Sequence, residues 1–258
     1  MEKSPFSTRT HMNQTLLIDF DSTIITKETL DVLAAITLIG DPNAEQKITL
    51  IKQITEAGMN GEITFEESLS ARTAAFTPHR IHMLQTVQYL QSYISPSFLK
   101  HREEIALHAD DIYIISGGFR EPILPIASQF GIDASHVFAN DLHFDENGRL
   151  LGIDTRNPLA HEGGKVAVAR QLKEAGRLKS PTIVIGDGTT DRQILDARIA
   201  NKFFAYTETV TRENALLGAT KVTKDFTKVA ELLGWYPTGI EQIGMRGEAH
   251  PPSLQMRK

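Results

Sequence analysis

The sequence contains no cysteine among its 258 residues. That absence excludes disulfides, thiolate zinc sites and a cysteine nucleophile together. There is no basic excess either: 27 Lys and Arg stand against 32 Asp and Glu, for a formal net charge of −5. A nucleic-acid partner is therefore not expected, because such proteins carry a basic patch or stripe. No apolar run approaches the roughly 18 residues of a membrane span, so no membrane partner is expected. The opening MEKSPFSTRTHMNQ lacks the apolar stretch of a secretory signal, and a cytoplasmic protein, monomer or homodimer, is the expectation. Internal repeats and low-complexity tracts are missing as well. What remains is 41% hydrophobic and 23% charged, outside the range of disordered chains. The length suits one large domain or a core with an inserted module.

Short apolar runs bounded by turn residues recur: TLLIDFD (15–21), DIYIISGG (111–118), PTIVIGDG (181–188) and NKFFAYT (201–207). Runs that are apolar on both faces and rich in β-branched residues suit the buried strands of a parallel sheet. Helical patterns over 120–130, 164–175, 191–199 and 211–217 separate them. The alternation predicts an α/β fold, a doubly wound parallel sheet of Rossmann-like kind. One interval breaks it. Residues 22–110 read as helix nearly throughout, far more than a crossover needs, which predicts an inserted helical cap. Thr64 and Glu67 stand in capping-box spacing, while Thr77-Pro78 and Ser95-Pro96 read as N-cap and N1 pairs. VFANDLHFDENGRLLGID (137–154) reads as a hairpin turning at Asn147-Gly148. The expected division is core over 1–24 and 107–238, cap over 25–106, and a C-terminal tail, 239–258, with little pattern and expected to be partly disordered.

Ligands of parallel α/β sheets sit beyond the carboxyl ends of the strands. Those ends here carry Asp19-Phe20-Asp21-Ser22-Thr23, Ser116-Gly117-Gly118 and Gly186-Asp187-Gly188-Thr189-Thr190-Asp191, and HEGGKVAVAR delivers Lys165 to a helix start. Carboxylates at 19, 21, 187 and 191 converging on one crevice repel by several kcal/mol at an effective dielectric near 20. A cation relieves that, and all-oxygen ligation points to Mg²⁺. With Lys165, Ser116 and backbone N–H groups as donors, the crevice suits a phosphate, and an ionised Asp beside it suits attack on phosphorus. Taken singly, Asp-x-Asp would also fit a glycosyltransferase and Gly-Asp-Gly a simple turn.

In order along the chain, DFDST, SGG, Lys165 and GDGTTD resemble the four motifs of the haloacid dehalogenase superfamily, over roughly 15–235. The resemblance implies that fold with a cap in this position. It also implies Asp19 as nucleophile, Asp21 as acid and base, and Mg²⁺ held by Asp19, Asp187 and the backbone carbonyl of Asp21. Ser116, Gly117 and Lys165 would bind phosphate, Thr190 a substrate oxygen, and Asp191 would orient Lys165 or a metal-bound water.

Within the superfamily the chain is similar to phosphoserine phosphatases, which carry a Glu nine residues after the nucleophile, here Glu28. MNGEITFEESLSAR supplies a cap Met, Phe and Arg in sequence, Met59, Phe65 and Arg72. By that resemblance Glu28 binds the substrate ammonium and Arg72 its carboxylate, with Met59 and Phe65 as an apolar lid and Gly118 beside the substrate. Thr190 stands where many bacterial members have Asn. The implied activity is Mg²⁺-dependent hydrolysis of O-phospho-L-serine, a small-molecule phosphomonoester, through an aspartyl phosphate. The alternatives are a phosphatase of the same fold for another small phosphomonoester, a phosphotransferase to an alcohol such as homoserine, and a non-catalytic phospho-ligand binding module.

Overall fold

The apolar run Thr15–Ile18 forms β1, buried at every position, in a computed structural model that describes residues 12–60 and 62–235. The chain then leaves the sheet through α1 (Thr29–Thr37), α2 (Ala44–Asn60), α3 (Phe65–Ala74) and α4 (Arg80–Leu90), followed by the short α5 (Pro96–Lys100) and α6 (Arg102–Leu107). It returns in β2 (Ile112–Phe119), crosses by α7 (Arg120–Gln129) to β3 (Val137–Asn140), and makes the hairpin of β4 (Leu142–Phe144) and β5 (Leu150–Ile153). Then follow α8 (Gly164–Glu174), β6 (Thr182–Gly186), α9 (Thr189–Asp196), β7 (Lys202–Tyr206), α10 (Glu213–Leu216), β8 (Lys221–Thr223) and α11 (Phe226–Leu233).

The strands outside the hairpin form one parallel sheet in the order β3-β2-β1-β6-β7-β8. Leu16 of the central β1 lies opposite Ile112 on one side and Ile183 on the other. Alternation along each strand divides the core into two layers. Leu16, Ile18, Ile114, Ile185 and Phe204 pack on α6, α7 and α11 through Ile105, Ile123 and Val229. Leu17, Tyr113, Ile115, Val184 and Phe203 pack on α8 and α9 through Val168, Leu172 and Ile194. Both faces are covered, which is why these segments read as continuous apolar runs. This is the doubly wound α/β sheet that the alternation predicts.

Two local expectations need correction. Residues 137–154 do not form one hairpin: β3 is an edge strand parallel to β2, and only β4 and β5 pair antiparallel. Val137, Ala139 and Asn140 are buried like sheet residues, whereas Leu142–Phe144 is half-exposed like a hairpin arm. The turn itself lies where expected, with Gly148 at φ +79 and the Asp145 carboxylate accepting the Asn147 and Arg149 N–H groups. In addition, α4 begins at Arg80 and not at Pro78. His79 is its N-cap, accepting from Ile81 N–H, because the hairpin captures the preceding residues through Arg80 N–H to Gly148 O and a bridge from His79 to Arg149. The capping box of Thr64 and Glu67 forms at the start of α3.

Helices α1 to α4 bury a cluster of their own, with Leu30, Leu33, Ile51, Leu69, Phe76 and Met83, against Phe119 and the hairpin. By contrast, Phe98 of α5 and Ile105 of α6 belong to the layer against the sheet. The two chain passages between these parts run side by side. Ile25 and Ile94 form an antiparallel bridge, Thr26 N–H donates to Tyr93 O at 2.8 Å, and Ser95 N–H donates to Ile24 O at 2.8 Å. The Ser95 hydroxyl then reaches Glu208 beyond β7 at 2.6 Å, tying this ribbon to the sheet. The tail 239–258 lies outside the described residues.

Candidate active site

Asp19 follows β1 directly, and its N–H continues the ladder to Ile185 O at 2.9 Å. The chain then curls tightly, with Ser22 at φ +54, a left-handed conformation that a non-glycine residue adopts at some cost. The curl brings the Ser22 hydroxyl to Glu28 at 2.8 Å. It also sets the N-terminus of α1 over Asp21, whose Oδ1 accepts both the N–H and the hydroxyl of Thr29. Thr29, fully buried, is a residue that sequence reasoning passed over.

The end of β2 supplies a close-packed phosphate-sized loop. Gly118 N–H donates to Ser116 Oγ at 3.0 Å. A Cβ at Gly117 would stand 3.0 Å from the Phe65 ring and one at Gly118 2.9 Å from Asp21 Oδ2, so a side chain at either would push on those groups. Buried Asn140 braces the loop from β3, donating from Nδ2 to Gly117 O and Leu159 O at 2.9 Å. Lys165, in the first turn of α8, places Nζ 2.8 Å from Asp19 Oδ1 and 2.8 Å from Asp191 Oδ1. Asp191 Oδ2 accepts Gly188 N–H at 3.2 Å. Burial works against the Lys165 charge, but Asp19 and Asp191 outweigh it and hold the ammonium above the ordinary lysine range.

Negative charge is in surplus here. Carboxylate oxygens of buried Asp19, Asp187 and Asp191 lie within 4.8 Å of one another. Burial, reinforced by Asp19, pushes Asp187 up to about 7 and Asp191 up to about 8. Burial likewise lifts Asp21 to about 7, against the pull of Thr29, and Glu28 to about 8 with Asp21 adding to it. A buried all-oxygen donor set with excess negative charge fits a hard divalent cation. Asp19, Asp187 and Asp191 are the carboxylates close enough together to share one. Asp21 Oδ1 is taken by Thr29, while Oδ2 lies toward Gly118.

A second residue that the sequence did not reveal is Arg212, between β7 and α10. It is buried and donates from Nε to Asp187 Oδ2 at 2.8 Å. Its other nitrogens lie 3.5 Å from Glu28 and 3.5 Å from Glu56 of α2. Its signal, one arginine in TETVTRENAL, has no neighbouring motif to mark it.

One cavity of about 370 Å³ lies between the sheet and α1–α3. Asp19, Asp21, Ser116, Gly117, Gly118, Lys165, Asp187, Thr190 and Asp191 form its floor, and Glu28, Phe65 and Arg72 its other side. The structure thus brings together every residue singled out from the sequence except Met59, whose side chain lies outside the described residues. Arg72 is only 7% exposed. Among the described residues no carboxylate forms an ion pair with it; it donates to Ser68 O and Thr55 Oγ1. An anchored phosphate floor, an acid cluster and a buried cation across one cavity suit a small phosphorylated anion.

Comparison with known proteins agrees with this chemistry. Residues 16–196 match the family model of haloacid dehalogenase-like hydrolases. The chloroplastic phosphoserine phosphatase of Arabidopsis thaliana is 33% identical over 200 residues, 78% of this chain and 65% of that protein, so the chain spans just under two thirds of that relative's length. The phosphoserine phosphatase of Homo sapiens is 32% identical over 216 residues, 84% of this chain and 90% of that protein. Among solved structures, a phosphoserine phosphohydrolase-like protein from Francisella tularensis superposes with TM-score 0.75 at 28% identity, over 85% of this chain and 99% of the other. The chain belongs to the haloacid dehalogenase-like hydrolases, among the relatives of phosphoserine phosphatase, and is a phosphatase enzyme.

Proposed function

We propose that the chain hydrolyses O-phospho-L-serine to L-serine and phosphate, with Mg²⁺, through an aspartyl phosphate on Asp19. The observation that carries the substrate choice is Arg72. A buried guanidinium with no carboxylate partner among the described residues is costly to keep, and it faces the cavity whose floor suits a phosphate. A carboxylate on the phosphorylated molecule would complete it as a charge-assisted, bidentate pair. Glu28, on the same side, suits the ammonium of the same zwitterion. Phe65 closes the apolar flank.

Asp19, ion-paired with Lys165, attacks phosphorus and breaks its bond to the seryl oxygen. Asp21, fixed through Oδ1 by Thr29 so that Oδ2 faces Gly118 and the cavity, gives its proton to the departing oxygen. It then takes a proton from the water that cleaves the phosphoenzyme. The Ser116 hydroxyl, the Gly117 N–H and the Lys165 ammonium bind the phosphoryl oxygens as charge develops on them, with Thr190 at the rim. Gly118 lets the substrate approach without a side chain in the way. Asp191 holds Lys165 in place. Asp19, Asp187 and the Asp21 carbonyl would hold Mg²⁺, which would supply positive charge offsetting the anionic phosphate. The helices α1 to α4, within the block 25–106, serve as the cap that excludes water.

The test is phosphate release from a panel of phosphomonoesters, with Mg²⁺ and with chelator. Phosphoserine should be preferred over aryl and sugar phosphates, and chelator should abolish turnover. Equal rates across the panel would overturn the substrate assignment. A new phosphoester formed on adding homoserine would make the enzyme a transferase.

A further inference from the structure

Resting on the reading of Arg72 as the carboxylate-binding group, we propose that Thr55 and Asp31 are positioning residues that aim Arg72 at its ligand. The three side chains thread three helices. Arg72 on α3 donates from one terminal nitrogen to Thr55 Oγ1 on α2 at 3.4 Å. Thr55 in turn donates to Asp31 Oδ1 on α1 at 2.9 Å. The Thr55 oxygen also lies 2.9 Å from Ile51 O, one turn back in its own helix. A hydroxyl has a single proton, and the charged carboxylate is the stronger acceptor, so the proton goes to Asp31. The oxygen lone pairs are then left for Arg72. With Nε held by Ser68 O at 3.3 Å, the guanidinium is fixed at two points.

The interposed hydroxyl matters chemically. A carboxylate bonded directly to Arg72 would neutralise it and compete with the ligand for the same planar fork. Set one hydroxyl away, Asp31 contributes negative potential at a buried cation while leaving the remaining N–H groups of the guanidinium unused. A guanidinium has five N–H donors, of which, among the described residues, Ser68 O of its own helix takes the Nε one and Thr55 of α2 a terminal one. Thr55 is 3% exposed and lines the same cavity as Arg72.

The test compares the Mg²⁺-loaded enzyme on phosphoserine and on phosphoethanolamine, which is the same phosphoester and amine without the carboxylate. Thr55→Val, nearly isosteric, should raise KM for phosphoserine on the order of tenfold, with kcat little changed. Phosphoethanolamine turnover should stay within twofold, which also reports that the variant folds. Thr55→Ser should restore the wild-type KM. In an Arg72→Ala background, Thr55→Val should add no further loss on phosphoserine. If Arg72→Ala is selective for phosphoserine while Thr55→Val affects both substrates equally or neither, the positioning role is overturned and the substrate reading stands. If Arg72→Ala itself impairs both substrates equally, the substrate reading falls and the positioning role falls with it.

Discussion

Asp187 offers a direct measure of how far the site is strained by its own charge. Burial and the adjacent Asp19 push its carboxyl up to about 7, against about 3.9 in an unfolded chain. A tenfold change in acidity corresponds to about 1.4 kcal/mol. Holding this carboxylate ionised therefore costs the metal-free fold about 4 kcal/mol above pH 7. The sign follows from proton counting: between pH 4 and 7 the folded chain keeps a proton that the unfolded chain has released. The contribution of Asp187 to stability in chelator is thus full below about pH 4, falls as pH climbs toward 7, and levels off beyond. Asp187→Asn removes the charge, and the raised value already includes the opposing pull of Arg212. The variant should therefore be more stable than wild type by up to about 4 kcal/mol at pH 8 in chelator, with a flatter pH dependence, while losing activity. Urea denaturation across pH 5–8.5, with chelator or with Mg²⁺, measures this. Mg²⁺ should stabilise the wild type increasingly as pH rises, and the variant hardly at all. A variant no more stable than wild type in chelator at pH 8 would refute the charge-surplus argument.

Asp19→Asn should fold normally and lose several orders of magnitude in kcat; turnover within tenfold of wild type would remove it as nucleophile. Chelated enzyme should recover with Mg²⁺ and poorly with Ca²⁺, whose longer and looser coordination misplaces the attacking carboxylate; full activity in excess chelator would contradict the mechanism. Arg72→Ala should reduce kcat/KM on phosphoserine by roughly 30- to 1000-fold through loss of a buried charge pair, and much less on an aryl phosphate. Arg72→Lys should recover only part of the loss, because an ammonium lacks the planar fork.

The strands that carry chemistry were legible because burial on both faces makes them continuous apolar runs, and because polar residues collect at their carboxyl ends. Lys165 and Asp191 stand in sequence where the structure pairs them. β3 was not legible: four residues of ordinary composition become a strand only through tertiary pairing with β2, which no local period encodes. Thr29, Asn140 and Arg212 escaped for a related reason. Each supports a neighbour from a distant stretch, Asn140 bracing Gly117 and Arg212 bonding Asp187, and a single polar residue has no spacing by which to be noticed. The N-terminus of α4 misled because Pro at N1 is a local preference, and the contact of the β4–β5 hairpin with His79 and Arg80 overrides it.

The side-by-side ribbon at Ile25 and Ile94 bears on how such an enzyme changes over time. Its two passages already hold the ends of the helical block together, so to the sheet the block is a closed loop of adjustable length. Doubling a loop adds only about 0.6 kcal/mol of closure entropy. The residues that would select the substrate, Arg72, Thr55 and Phe65, lie inside that loop, whereas Asp19, Lys165 and Asp187 lie at the strand ends. A lineage is therefore free to rewrite what is admitted to the cavity, by insertion, deletion or replacement between 25 and 94, while the machinery that handles phosphate stays in register.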